Sequence, residues 1–406
     1  MGTIPLFVAD RPASLRILEG LSDHKNEFGI LAHAFTTNNF KEQFRKFPHT
    51  EYKVGDSGIY QGKETSYEEL FSEYEKMGVK YGIIKDYYHD PERTLESAKL
   101  ARRIYKKGIR CNKYSFELLG VAQGNTVAEY LKSYTHQKKL GFERVAIGGL
   151  LYKIQKHSRL VKVRSDVYLR NVLSGIRELY PEDKLFPLGI YNRERMKKLS
   201  DLDLWMADYK GWIFKYDIVR SHEKGDRFKQ VRQYIRKNVF PPLEEVNPPR
   251  NGLSNQNEEG RDNKRRKSSK RLLIMSCSST KNKMPGKAIE VYDGISYKIV
   301  RKYCKKHNHL DVKIISAKYG LLDRRDLIEP YDYKMNSITS NIYKSILEKR
   351  LLLLVSSYEE IFVFGGKNYI NVLPDDLLPK VKKSEGLIGQ QLRQLNEWLN
   401  SPEKPK

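Results

Sequence analysis

Short apolar runs alternate with longer amphipathic stretches through the first 240 residues, and this alternation constrains the fold more than any other feature of the chain. The runs fall at residues 4–8, 28–32, 81–84, 118–122, 145–147, 185–190 and 202–207. Helix-like segments lie between several of them, at 67–77, 93–106 and 126–139. Strand–helix alternation of this length suits an α/β fold, a (β/α)8 TIM-like barrel. An open, doubly wound sheet is the competing architecture.

The alternation stops at Pro241. Residues 241–270 hold four prolines, many Asn, Gly and Ser, and almost no apolar side chains. Such a segment cannot bury enough surface to offset its ordering entropy. We read it as a flexible basic linker between a barrel at 1–240 and a smaller α/β domain at 271–402. In that domain 271–276 reads as a buried first strand and 292–307 as a helix. Residues 312–316 and 361–364 read as further strands, and 388–399 as a closing helix.

Composition bears on partners. The chain carries 75 Lys plus Arg against 50 Asp plus Glu, a formal net charge of +25. That excess points to a polyanion, because neutralising phosphates releases condensed counterions; a basic protein of no special partner is the plainer reading. The three cysteines, Cys111, Cys277 and Cys304, are far apart and form no CxxC pair. This argues against a disulfide framework and against a cysteine-based structural zinc site. No charged-then-apolar leader opens the sequence, and the longest apolar run, 351–355, is too short to span a bilayer. The expectation is a cytoplasmic protein with no membrane partner.

The residues just past the apolar runs carry the functional information. Asp56 and Ser57 come after 53–54, Asp86 after 81–84, and Gln123 and Gly124 after 118–122. Gly148 and Gly149 come after 145–147, and Asp208 after 202–207. In a barrel the carboxyl ends of the strands and the loops after them form the active face, so acids, amides and glycines from five strands would converge there. A single Asp after a strand is ordinarily a turn or a helix cap; five strands ending in this way call for another explanation.

At these residues the chain resembles the tRNA-guanine transglycosylase superfamily. DSGIYQ (56–61) is similar to that family's DSGGFQ segment, GVAQG (120–124) to its G-[IV]-x-Q-G segment, and IGGL (147–150) matches its own counterpart. LWMADYKGW (204–212) resembles the nucleophile strand, where an Asp ends an apolar run and an aromatic stands four residues on. The resemblance covers about residues 1–220. It implies base exchange at a glycosidic carbon. One carboxylate holds the sugar while bases swap, and a second shuttles a proton to the leaving base. Asp208 would be the nucleophile and Asp56 the general acid/base. Asp86, Gln123 and Gly149 would read the edge of a guanine or a queuine/7-deazaguanine-type base, Tyr60 would stack on it, and Ser57 would add a hydroxyl. Asp203 is the alternative nucleophile; we prefer Asp208 because Asp203 falls inside the expected strand rather than at its end. The reading calls for no cofactor and no metal.

Two departures from the family matter. Its members carry a zinc site of three cysteines and a histidine after the nucleophile, and here no cysteine lies between Cys111 and Cys277. The usual Phe-Asp-Ser has also become Ala-Asp-Tyr at 207–209. The superfamily has tRNA branches and a DNA branch that inserts 7-deazaguanine derivatives. Loss of the zinc site and of its tRNA-binding extension favours the DNA 7-deazaguanine transglycosylase branch, with tRNA as the alternative polymer and a non-catalytic nucleic-acid-binding barrel as the alternative class. The reading allows a homodimer. Grip on the polymer would come from Lys153, Lys156, His157, Arg159, Lys162 and Arg164, and from Lys224, Arg227, Lys229, Arg232, Arg236 and Lys237, each set being otherwise a solvated helical face. The basic end of the linker, Lys264, Arg265, Arg266, Lys267, Lys270 and Arg271, would touch phosphates or remain a solvated tail.

The smaller domain carries CSSTK (277–281), SAKYGLL (316–322), EPYDYKM (329–335), FGGKNY (364–369) and GLIGQQL (386–392). Three of these place small or polar residues just after an apolar strand, where an α/β sheet presents ligand groups. The set resembles a family of small α/β domains of unassigned function, distantly similar to the PCS-containing domain of archaeosine synthases and to YaaA-type proteins. Cys277 with Lys281 reads either as a nucleophile with an activating cation or as a packed small residue at a strand end.

Overall fold

The computed structural model describes residues 2–59, 65–151, 166–215, 226–240, 271–307 and 310–401, and the backbone alone at 152–156 and 159–163. Tyr60, His157, Arg164, Lys224 and the segment 241–270 lie outside the described residues. The chain divides into two units: 1–125 with 129–164 and 180–247, and 126–128 with 165–179 and 248–406.

The first unit is a TIM-type barrel. Its strands are β1 (Ile4–Val8), β2 (Gly29–His33), β3 (Lys53–Asp56), β4 (Tyr81–Ile83), β5 (Glu117–Ala122) and β6 (Val145–Ile147). After an antiparallel hairpin, β7 (Tyr152–Lys156) and β8 (Arg159–Val163), come β9 (Phe186–Pro187) and β10 (Met206–Tyr209). The sheet order is β10-β1-β2-β3-β4-β5-β6-β9, and every pairing in it is parallel. A single parallel bridge, Leu185 to Leu204, brings β9 back toward β10. Trp205 N–H to the Leu185 carbonyl at 2.9 Å and Tyr191 N–H to the Asp208 carbonyl at 3.2 Å reinforce it. The barrel is therefore nearly closed.

Two glycines show how the sequence aims the strands. A Cβ on Gly55 or on Gly82 would collide with the ring of Tyr74, which lies in the helix Tyr67–Met77 and donates its hydroxyl to the Ile83 carbonyl at 2.6 Å. Gly55 and Gly82 thus face the outer helical layer. Because successive strand residues point to opposite faces, Asp56 and Ile83 face the barrel interior. The helix is set by Ser66, whose hydroxyl accepts from Glu69 N–H at 3.1 Å, and is ended by Gly78 in the left-handed region. A buried ion pair, Lys41–Glu73, ties it to the helix Asn38–Lys46.

Several expectations need correction. The basic set from Lys153 to Lys162 runs along the β7–β8 hairpin instead of a helix; its run of Tyr, Ile, Leu and Val positions favours extended backbone. The second set lies on the helix Arg227–Asn238, but Arg236 is committed to Asp23, with both of its bonds at 2.9 Å or less, and to the Gly20 carbonyl. Arg227, Lys229 and Lys237 remain exposed on it. Arg271 does not belong to a solvated linker end. It is 2% exposed, with its guanidinium 4.1 Å from the Trp398 ring centroid and 3.2 Å from Glu360.

The second unit is built on the sheet β14-β13-β11-β16-β17, formed by β11 (Arg271–Ser276), β13 (Asp311–Ser316), β14 (Gly320–Asp323), β16 (Glu360–Phe364) and β17 (Lys382–Lys383). Only the edge strand β14 is antiparallel in it. A small antiparallel pair, β12 (Gly286–Lys287) and β15 (Leu327–Ile328), lies beside it in the chain. The helix Asp166–Leu179, although it falls between barrel strands in sequence, groups with this unit: Asn171 donates to the carbonyls of Tyr319 at 2.7 Å and Leu321 at 3.1 Å. The closing helix Ile388–Asn400 starts where Gln390 accepts from Leu387 N–H at 2.8 Å, so the GLIGQQL motif is a helix start. Among the described residues no helix is long and apolar enough to cross a membrane.

Candidate active site

The carboxyl ends of the barrel strands surround one cavity of about 300 Å³. Its wall includes Asp56 after β3, Asp86 after β4, Gly148 and Gly149 after β6, Gly189 after β9, and Asp208 of β10. Val8, Leu31, Ile83, Leu150, Leu151 and Leu188 make the apolar part of the wall. Five of the residues singled out in the sequence, Asp56, Asp86, Gly148, Gly149 and Asp208, are thus brought to one space.

Asp56 presents its carboxyl to the cavity while barrel surrounds it on the other sides. Burial raises its pKa above the ordinary aspartate value. The backbone N–H groups of Gly58 and Ser57 and the charges of His33 and Lys210 pull the other way without reversing the shift. A carboxyl that holds its proton more tightly than usual is suited to giving that proton to a leaving group.

Asp208 has a different environment. Gly189 N–H, from the loop after β9, donates to its carboxylate. A backbone N–H fixes the direction of the carboxylate that accepts from it. Asp203 is exposed and sits before β10, in the left-handed region at φ 46°. It is therefore not inside the strand as expected, because the chain turns through 200–202 and begins β10 only at Met206.

Asp86 is 4% exposed and Gln123 1%. Gln123 Nε2 donates to Asp86 at 2.6 Å, and His89 N–H reaches Gln123 Oε1 at 3.4 Å. Gln123 does not itself line the cavity; it stands behind Asp86 and fixes its direction. The IGGL segment packs against this pair. Gly149 has φ 67°, and a Cβ there would collide with Gln123 Oε1, so only glycine fits. Tyr130 holds the turn by donating to the Gly148 carbonyl at 2.8 Å. Ser57 is fully buried, and its hydroxyl has no hydrogen-bond partner among the described residues.

Three residues escaped the sequence reading. His33 is the register partner of Asp56 and couples to its charge. Lys210, two residues past Asp208, lines the cavity, as does Tyr88, whose hydroxyl donates to the Leu151 carbonyl at 2.6 Å. Lys210 lies just past the end of β10, so the positional signal that marked the aspartates applied to it; His33 and Tyr88 show their place only through strand register and loop packing. The aromatic four residues after Asp208, Trp212, is fully buried and donates to the Val8 carbonyl at 3.1 Å; it supports β1.

Cys277 and Lys281 belong to the second unit, in the loop that leaves β11. Among curated proteins none matches the chain. Residues 272–400, from β11 to the closing helix, match DUF6884, a family of unknown function.

Proposed function

We propose that the barrel is a guanine transglycosylase that exchanges guanine in DNA for a 7-deazaguanine base. The observation that carries this reading is the convergence of Asp56, Asp86 and Asp208 on one cavity, with Asp56 biased toward its protonated form and Asp208 held by a backbone donor. The cavity volume lies at the small end of the range for ligand sites, about 300–1,000 Å³, as a site for one extruded nucleotide requires.

In the proposed reaction the Asp208 carboxylate attacks the glycosidic carbon of the target nucleotide. The bond to guanine breaks, and Asp56 gives its proton to the departing base. The sugar is left esterified to Asp208. The incoming base then loses a proton to Asp56 and displaces Asp208, restoring both carboxyls. Asp86, aimed by Gln123, accepts from the donor edge of each base, and Gly148 and Gly149, having no side chains, leave the ring room to approach. The net positive charge of the chain suits a polyanionic substrate.

Incubation with labelled guanine and either DNA or tRNA tests this. Label should enter or leave DNA and not tRNA; exchange in tRNA alone would transfer the proposal to that polymer, and no exchange in either would end it. Asp208→Asn should lower exchange by at least about a thousandfold, as for loss of a covalent nucleophile, while the protein still binds DNA.

A further inference from the structure

The second unit holds another cluster of reactive side chains, none of which the base-exchange reading uses. β11 is central, with β13 paired on one side and β16 on the other. The chain crosses to one side and then the other, so the carboxyl end of β11 is a switch point, where open parallel sheets bind ligands. Cys277 is the first residue past that end. Its thiol is 3.1 Å from the Tyr369 hydroxyl, and it is a neighbour that raises the pKa of Tyr331, after burial and Tyr292. Tyr331 in turn reaches Ser316 Oγ at 2.7 Å and the Tyr292 hydroxyl at 2.9 Å. The Lys281 ammonium stands 4.4 Å from the Tyr331 ring centroid.

Four separate motifs, CSSTK, SAKYGLL, EPYDYKM and FGGKNY, supply these groups. Cys277, Lys281, Tyr331 and Tyr369 are all partly exposed, so the cluster is open to a ligand. The packed-residue reading of Cys277 does not account for a phenol hydroxyl on its sulfur and a lysine amine held over the ring of the neighbouring Tyr331. Nor is Lys281 an ordinary surface lysine. Burial lowers its pKa, and the neighbouring Cys277 charge opposes that shift only in part, so a neutral amine is accessible at lower pH than for a free lysine.

We propose that this cluster is a second reaction centre, in which Cys277 is the nucleophile toward an acyl compound, Lys281 its proton acceptor, and Tyr331 and Tyr369 the donors to the carbonyl oxygen. The ligand class is an ester or other activated acyl donor. In the step, the Cys277 S–H proton moves to the neutral Lys281 amine and the sulfur pair forms a bond to the carbonyl carbon. The π pair of the C=O bond moves to oxygen, where the phenol O–H groups stabilise it. When the C=O bond re-forms, the leaving group departs with the proton from Lys281, and a thioester on Cys277 remains.

The test uses the full chain and p-nitrophenyl acetate, read by the release of p-nitrophenol and by peptide mass spectrometry. Cys277 should acetylate faster than the exposed Cys111 of the same molecules, which serves as an internal reference that needs no variant. Lys281→Met should slow acetylation of Cys277 about a hundredfold at neutral pH, with the gap closing in alkali as hydroxide replaces the amine. Tyr369→Phe should slow it less, without changing the pH profile. Equal rates at Cys277 and Cys111, or a Lys281→Met protein of unchanged melting temperature that acetylates at the parent rate, would overturn the proposal. Base exchange is not the readout, so the outcome is independent of the barrel's assignment.

Discussion

At the scale of single residues, the protein holds a destabilised carboxylate, Asp56, on the wall of its barrel cavity. The pKa of Asp56 is raised in the fold from its ordinary value of 3.8. The folded state therefore binds this proton more tightly than the unfolded chain, and stability falls as pH rises from about 4 through the folded pKa. An amide at this position carries no such cost. Asp56→Asn should melt higher than the parent at pH 7 and equal to it below about pH 4, while base exchange falls by about a hundredfold or more. Thermal melts across pH with a parallel exchange assay check both halves. A variant that melts lower at pH 7 would show that the carboxylate is structurally required. Gln123 teaches the complementary lesson. Its position one layer behind Asp86 makes it a positioning residue, and only the 2.6 Å bond between them reveals this.

At the scale of elements, the helix Tyr67–Met77 does two jobs. It drives Tyr74 against the glycines of β3 and β4, and it carries Glu73 to the buried Lys41. Removing one partner of a buried pair leaves a charge without compensation. Glu73→Ala should cost about 3 kcal/mol in denaturant unfolding, and Lys41→Met combined with Glu73→Leu should recover most of it; a cost no larger for the single change than for the double would refute the argument. The helix Tyr67–Met77 and strands β1, β6 and β11 were legible to the residue in the sequence, because apolar runs flanked by caps and glycines encode them locally. Phe186–Pro187 was overextended to 185–190 because most of that apolar stretch is loop buried by packing, not by pairing. The grouping of helix Asp166–Leu179 with the second unit could not be read, since it depends on carbonyls about 150 positions away in the chain. For the site, strand-end acids were legible. His33 was not, because its importance lies in its register against Asp56.

At the scale of the molecule, a chain of net charge +25 carries three carboxyls on the wall of its barrel cavity. Under the proposed function the two charges divide the work: the excess of cations suits a polyanion, and the cavity carboxyls suit a base rather than a phosphate. The near-closure of the barrel has a further consequence, for motion. Seven strand pairings are continuous, whereas among the described residues β9 and β10 meet through the single Leu185–Leu204 bridge and two backbone hydrogen bonds beside it. That junction is the seam along which the barrel should breathe, and both of its sides contribute to the cavity, through Gly189 and Asp208. Amides such as Trp205 N–H should exchange with solvent deuterium faster than those of β2 and β3. A ligand attached to Asp208 and contacting the opposite wall would act as a staple across the seam. Deuterium uptake there should then drop on ligand capture while uptake in β2 and β3 stays constant; uniform protection of all strands would place the weak point elsewhere.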